Sequence, residues 1–454
     1  MLKQFPLLTL LLCSLVLGFS SCEDDDVPNS PYIGTIADNI ADDPQFSMLA
    51  AALDRTGLDA YLDVSTRRLT LFAPTDAAFQ ASGVDVGSLS DEELADILRY
   101  HVITGTIVDA EDIADGDSEV NSTNQTGPGP NALPLLFNNS GGTITINDNA
   151  TVTSSESGLV NGTIHTIDQL LVPPTVVDRA TLDGRFSILL SALERVDLDD
   201  VLADAGSYTI FAPTDDAFTA SGINLSTLSD ENLTRILSYH VVSTGIAAGD
   251  IPGGVSYQRT LSMDGVDSVN YSLLLNSAGD SVVINGESDV IGTDLFASNG
   301  VVHAIDMVLS PQNVVDFVVK SPMLDSLQQA LMAAGLVDDL MGAGPFTVFA
   351  PTNAAFTAAS DTIATLSEEQ LLSVLQYHVA LGRTSAGDLE DDMMINGING
   401  QSYTVVINQD DDENDLPPVL ITPDSMQVNF ITTDIQATNG VIHLIDGVLL
   451  PKLD

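Results

Sequence analysis

Eight residues recur three times in this chain: Phe72-Ala-Pro-Thr-Asp-Ala-Ala-Phe79, Phe211-Ala-Pro-Thr-Asp-Asp-Ala-Phe218 and Phe349-Ala-Pro-Thr-Asn-Ala-Ala-Phe356, at spacings of 139 and 138 residues. A period of that length is a whole domain, whereas solenoid repeats of roughly 20 to 50 residues need their neighbours to complete a core. The 454 residues therefore divide into three similar domains, each long enough to bury its own core. Downstream in each copy stand Tyr100-His101, Tyr239-His240 and Tyr377-His378. A closing box follows: Asn161-Gly162-Thr-Ile-His165-Thr-Ile-Asp168, Asn299-Gly300-Val-Val-His303-Ala-Ile-Asp306 and Asn439-Gly440-Val-Ile-His443-Leu-Ile-Asp446. All 6 histidines occupy these two positions. Each copy ends at a proline (Pro173, Pro311, Pro451) and the next helical pattern starts within a few residues, so the domains should follow one another almost without linker.

The segment before the repeats reads as an export signal. Lys3 gives a positive start, and Leu7 to Leu17 form an apolar run too short to span a bilayer. The run ends in Leu17-Gly18-Phe19-Ser20-Ser21-Cys22, which resembles a bacterial lipobox, with Phe19 departing from the usual small or aliphatic residue. Cys22 is the expected lipidation site and would become the new N-terminus; Cys13 would leave with the signal, so the mature chain keeps one cysteine and forms no internal disulfide. Glu23-Asp24-Asp25-Asp26 resembles the acidic stretch that sends some bacterial lipoproteins to the outer surface, and a solvated tether is the plain alternative. The expected boundaries are 1–21 for the signal, 22–31 for an acidic tether, and 32–173, 174–311 and 312–454 for the domains.

Charge narrows the partners. Sixty-four acidic residues against 13 Lys and Arg give −51, and loss of Lys3 with the signal makes 12 − 64 = −52. Such a surface repels nucleic acid and anionic headgroups, so the membrane is met only through a lipid anchor. Screening of this self-repulsion suits a saline habitat, unless acidity is simply common to such proteins. A hydrophobic content of 44% argues for folded domains rather than an acidic disordered chain.

Within a copy, Phe46, Leu49, Ala50 and Leu53 share one helical face. Leu69 to Phe72 alternate as a strand does; Pro74 ends it and Thr75 can cap a short helix into Phe79. Ser90 with Glu93, and Ser367 with Gln370, form capping boxes, with Leu89 over Leu94 and Leu366 over Leu371 as staples; Asn232 weakens the box in the middle copy. On the helix that follows, Leu94, Ile97, Leu98 and His101 lie at i, i+3, i+4 and i+7, as do the equivalent residues ending at His240 and His378. The histidines should therefore face the core.

The Thr-x-Phe-Ala-Pro-Thr-Asp/Asn-x-Ala-Phe box, the central Tyr-His and the closing Asn-Gly-x-Ile/Val-His-x-Ile-Asp box, in that order three times, resemble the fasciclin domain over about residues 32 to 452. The resemblance implies an α+β fold, three tandem domains each a β-wedge or sandwich packed with helices, used in secreted and surface-anchored proteins for adhesion, and it brings no catalytic residues or cofactor. In animal members the Tyr-His neighbourhood and a nearby Asp-Ile are linked to integrin contact. Mapped residue by residue, this implies ligand-binding candidates Tyr100, His101 and Asp112 (before Ile113), Tyr239, His240 and Asp250 (before Ile251), and Tyr377, His378 and Asp388, where Leu389 replaces the isoleucine.

Other chemistry competes for these residues. Imidazole with carboxylate suits a general base or a metal site. In a strand, however, residues three apart point to opposite faces, so His165 and Asp168 should not pair, and a core histidine satisfied by hydrogen bonds is the plainer expectation. No nucleophile-elbow, Ser-x-x-Lys or phosphate-cradling motif occurs, which disfavours an enzyme. In the third copy Asp410 to Asp415 gathers hard oxygen donors, with Asp410, Asp412 and Asn414 as candidate calcium ligands, against a solvated hairpin insertion as the alternative. The first copy's insertion, Asn121 to Pro134, reads as a flexible loop. The chain is expected to be an outer-membrane, surface-exposed lipoprotein that binds an extracellular protein or polysaccharide, with no cofactor. A glycan-binding accessory lipoprotein, periplasmic or at the surface, is the second reading and an unrecognised hydrolase the third.

Overall fold

The computed structural model of the chain describes residues 34–129, 131–263, 268–279, 281–407, 419–422 and 425–453. Each repeat is an α+β unit. In the first, helices Ile36–Asp42, Ser47–Thr56 and Asp59–Leu62 precede strand Leu69–Pro74, and helices Asp76–Ala81 and Asp91–Tyr100 follow it. Strands Val102–Thr104, Gly116–Asn121, Pro134–Ser140, Thr143–Ile146, Ala150–Glu156 and Gly162–Ile167 complete a seven-stranded sheet. Its neighbours run antiparallel except at the centre, where Leu69–Pro74 lies parallel to Gly162–Ile167 with Phe72 opposite His165. The second and third domains repeat this order.

The two central strands are buried along their whole length, as a parallel pair covered on both faces must be. Period-2 alternation sorts their side chains. Leu69, Leu71 and Ala73 meet Leu49, Leu53, Leu94 and Leu98 of the helices, whereas Phe72 turns to the other face among Tyr100, Leu135, Phe137 and Ile146. Each domain thus has a helix-side core and a core inside the curled sheet. In the second domain the sheet closes into a barrel, because the longer strand Gly254–Met263 brings Thr260 opposite Val242.

The capping devices form as the sequence predicts. Ser90 and Glu93 satisfy each other's backbone N–H, as do Ser367 and Gln370; Ser229 caps alone, and Asn232 accepts instead from Arg235 at 2.8 Å. The insertion after Asn121 corrects the flexible-loop expectation. Asn124 is buried there, its amide donating to the Asp96 carbonyl at 2.7 Å while its oxygen accepts from Thr126 N–H at 2.8 Å, and Ser122 bonds Leu133 across the loop. A polar composition was compatible with solvent, but Asn124 and Thr123 bond the helix carbonyls of Asp96 and Arg99, and the other groups bond one another across the loop. Among the described residues no helix is long and apolar enough to cross a membrane.

Candidate functional site

The Tyr-His pair ends the helix Asp91–Tyr100 and lies wholly inside: none of Tyr100, His101, Tyr239, His240, Tyr377 and His378 is more than 2% exposed. His101 Nδ1 lies 2.8 Å from the Ile97 carbonyl and Nε2 accepts from Leu171 N–H at 2.9 Å, which fixes the proton on Nδ1. His240 repeats this with Ile236 and Leu309, and His378 with Val374 and Leu449. The ring ties the helix end to the segment leaving the closing strand. Burial pushes each of the three imidazoles down to about 4, the bond to the backbone carbonyl only partly opposing it. The tyrosine hydroxyls donate to Pro134, Ser272 and Ser402 carbonyls at 2.7–2.8 Å, and burial raises the Tyr100 and Tyr239 hydroxyls far above the ordinary range.

The boxes are likewise occupied by the fold. Thr75 caps the helix Asp76–Ala81. The next residue reaches a different helix: Asp76 accepts from Met48 N–H at 2.7 Å, Asp215 from Ile188 N–H at 2.8 Å, and Asn353 from Ser326 N–H at 2.8 Å. Those helices have no side-chain cap of their own, so an acceptor is borrowed across the fold, and carboxylate and amide oxygens serve equally. In the closing box, Asn161 accepts from Ile36 N–H at 2.9 Å and donates to Leu62 at 2.6 Å, clamping the domain's first helix to its centre. Asn299 and Asn439 do the same. Asp168, Asp306 and Asp446 accept from Thr151, Asp289 and Asn429 N–H, well away from the histidine three residues before.

That histidine holds a surface loop. His165 Nε2 donates to the Val108 carbonyl at 2.7 Å while Nδ1 faces Ser155 Oγ at 2.7 Å, and the ring stacks on Phe72 with centroids 5.1 Å apart. His303 and His443 donate to Ile246 and Thr384 at 2.9 Å. They accept at Nδ1 from the N–H of Asp294 and Asp434, aspartates at a bulge with φ near +60° whose carboxylates bond Ala248 and Ala386 N–H at 2.8 Å. Each pinned segment runs into a one-turn helix, Ala110–Asp112, Ala248–Asp250 or Ala386–Asp388. Asp112, Asp250 and Asp388 are exposed at its end, while Ile113, Ile251 and Leu389 plug the core behind them.

Of the ligand-binding candidates, the structure therefore brings one aspartate per domain to the surface and encloses the Tyr-His pairs beneath. The sequence hid the clamping role of Asn161 and the bulge aspartates, whose partners lie far along the chain; the Asn-Gly spelling in three copies was the signal available. Cys22, Asp410, Asp412 and Asn414 lie outside the described residues, and among the described residues no three His, Cys, Asp or Glu side chains gather as a metal site needs.

The Fasciclin domain model matches residues 44–173, 184–311 and 322–451. Transforming growth factor-beta-induced protein ig-h3 of Oryctolagus cuniculus is 30% identical over 273 residues, covering 58% of this chain and 36% of that protein. Protein sll1483 of Synechocystis is 37% identical over 142 residues, 30% of this chain and 73% of its own length. This chain spans about a third of the length of the mammalian relatives it matches. A solved FAS1 domain pair of the insect cell adhesion molecule Fasciclin I aligns with 60% of this chain and 98% of its own at 21% identity and a TM-score of 0.37. With its family model repeated over all three domains and the motif residues in structural roles that recur in each, the chain belongs to the fasciclin domain family.

Proposed function

We propose that this chain is a lipid-anchored adhesion protein of the outer membrane, exposed at the cell surface, which meets cell-surface, matrix or polysaccharide ligands through the loops bearing Asp112, Asp250 and Asp388. One observation carries the reading: the motif residues of each domain are enclosed and bonded, and what the closing-box histidine holds outward is the same short acidic turn, three times over. On this reading Tyr100, Tyr239 and Tyr377 serve binding from below, in the core with Ile113, Ile251 and Leu389 behind the turn, while His101, His240 and His378 brace the helix end. Histidines held in one tautomer by two fixed partners and shut from solvent are poorly suited to proton transfer, so binding rather than catalysis is favoured.

Cys22 supplies the anchor, and the tether Glu23 to Asp26 lifts the domains from the membrane. Cys22→Ser should lose all palmitate label, leave the membrane fraction and abolish attachment of intact cells. Metabolic labelling, fractionation and protease shaving of intact cells measure these in turn. A variant that stays labelled and membrane-bound would overturn the anchor, and a shaving-resistant wild type would overturn surface exposure.

A further inference from the structure

We propose that the cleft between the first and second domains is a binding site for a neutral oligosaccharide. The two domain junctions are built on the same plan, which makes their difference informative. Glu119 pairs with Leu136, two residues past Pro134, the acceptor of Tyr100; Tyr257 pairs with Leu274, two past Ser272, the acceptor of Tyr239. Glu119 and Tyr257 are therefore equivalent. So are Arg179 and Phe317, each three residues after the valine whose N–H the Asn clamp receives.

At the second junction these positions are filled. Tyr257 meets Phe317 edge-on with centroids 6.1 Å apart, Val255 and Leu274 pack with Val315, Val318 and Ile435, and Ser272 Oγ accepts from Gln436 N–H at 2.9 Å. At the first junction Asp117 stands where Val255 does, Glu119 and Arg179 replace the aromatic pair, and Pro134 has no hydroxyl to offer. The result is a cleft of about 500 Å³, within the size of ligand pockets and at the domain boundary where they often form. Leu136, Leu182 and Leu295 line it beside the polar groups.

Arg179 is the unexplained group. Its side chain is 5% exposed, one terminal nitrogen reaches Glu119 at 3.2 Å, and its buried Nε has no hydrogen-bond partner. A buried donor without an acceptor is costly, and Arg179 lines the cleft, where a bound ligand can answer its guanidinium. The other charged groups of the lining are acidic: Asp117 takes the Asn138 amide at 2.6 Å, Asp183 takes Arg185, and Asp148 lies alongside. Anions are disfavoured by four carboxylates around one answered guanidinium, and a cation brings no acceptor for Arg179. A polyol accepts from the guanidinium, donates to the carboxylates and lays its C–H face on the leucines.

This deepens the adhesion reading and rests on it, giving that reading a polysaccharide ligand. The test titrates the mature chain with neutral hexasaccharides of glucose, mannose and galactose, a hexagalacturonate and tri-lysine, by calorimetry. At least one neutral sugar should bind, the uronate at least about tenfold more weakly, and the double variant Glu119→Tyr/Arg179→Phe, which imports the second junction's pair, should lose at least about tenfold in affinity while melting no lower than wild type. Arg179→Gln should weaken the same sugar. Unchanged binding in the filled variant, no neutral sugar bound by about 10 mM, or tri-lysine as the ligand lost on filling would overturn the site. Attachment kept by the filled variant but lost on replacing Asp112, Asp250 and Asp388 would also overturn it, and would leave adhesion by the turns standing.

Discussion

Gly162→Ala should unfold the first domain at ordinary working temperatures or come close to it. A Cβ built there overlaps the Leu69 carbonyl oxygen and lies 2.8 Å from its carbon and 3.0 Å from Ile36 Cδ1. The glycine is thus required by close approach of the two central parallel strands rather than by an unusual φ. Neither neighbour can yield: Leu69 is fixed by its N–H bond to the Asn161 carbonyl at 2.9 Å, and Ile36 by the Asn161 clamp. Parting the strands breaks both, at a cost of about 3 kcal/mol or more. That is a large fraction of the stability of one domain, and the first transition should drop by roughly 10 °C or more. Gly249→Ala, with nothing within 4 Å of the added carbon, should move the melt hardly at all. Scanning calorimetry of the two variants decides it; a Gly162→Ala protein melting within a few degrees of wild type would show that the strands can part cheaply.

Acid should destabilise all three domains in a defined window. His101, His240 and His378 titrate near 6.5 when unfolded and are pushed down to about 4 when folded, because the ring is buried and its Nε2 faces a backbone N–H. Above pH 6.5 both states are neutral and the term vanishes. Between 6.5 and 4 the unfolded chain binds a proton that the folded one refuses, so stability falls with pH, and below about 4 the loss levels off at roughly 3 kcal/mol per histidine. Burial lowers His165, His303 and His443 as well, which adds loss of the same sign. Carboxylate self-repulsion works the other way, easing as acid neutralises a chain of net charge −51. Melting temperatures should therefore decline from pH 7 to 5, and His240→Gln, which keeps a donor and an acceptor without a titrating ring, should be less stable but flatter with pH in its own domain. A melting temperature constant across that range would contradict the buried neutral assignment.

Local signals made much of this legible. Apolar spacing put His101 on the inner face of its helix, the Ser90 and Ser367 boxes marked where that helix starts, and strand geometry separated His165 from Asp168. Long-range pairings were not legible. Asn161 binds groups 125 and 99 residues away, and nothing around it announces them. Thr260 closes the second barrel through a register that only the folded sheet sets. Asn124 lies in a stretch whose composition suits solvent, yet it is buried. The contrast between Arg179 and Phe317 was visible on aligning the repeats, but its meaning depended on Glu119 and Tyr257 lying opposite.

The most direct measurement is retention of beads carrying the mature chain on cells, matrix and polysaccharide surfaces, with Asp112→Asn, Asp250→Asn and Asp388→Asn combined in one variant. These side chains are exposed, and asparagine keeps the oxygen with which Asp112 and Asp388 accept from the Asp109 and Ser385 N–H at 3.2 and 3.0 Å, so the fold should melt as before. Retention should fall at least about tenfold, since three weak contacts multiply when they act together. Undiminished retention by the triple variant, with its melt unchanged, would contradict adhesion through the acidic turns.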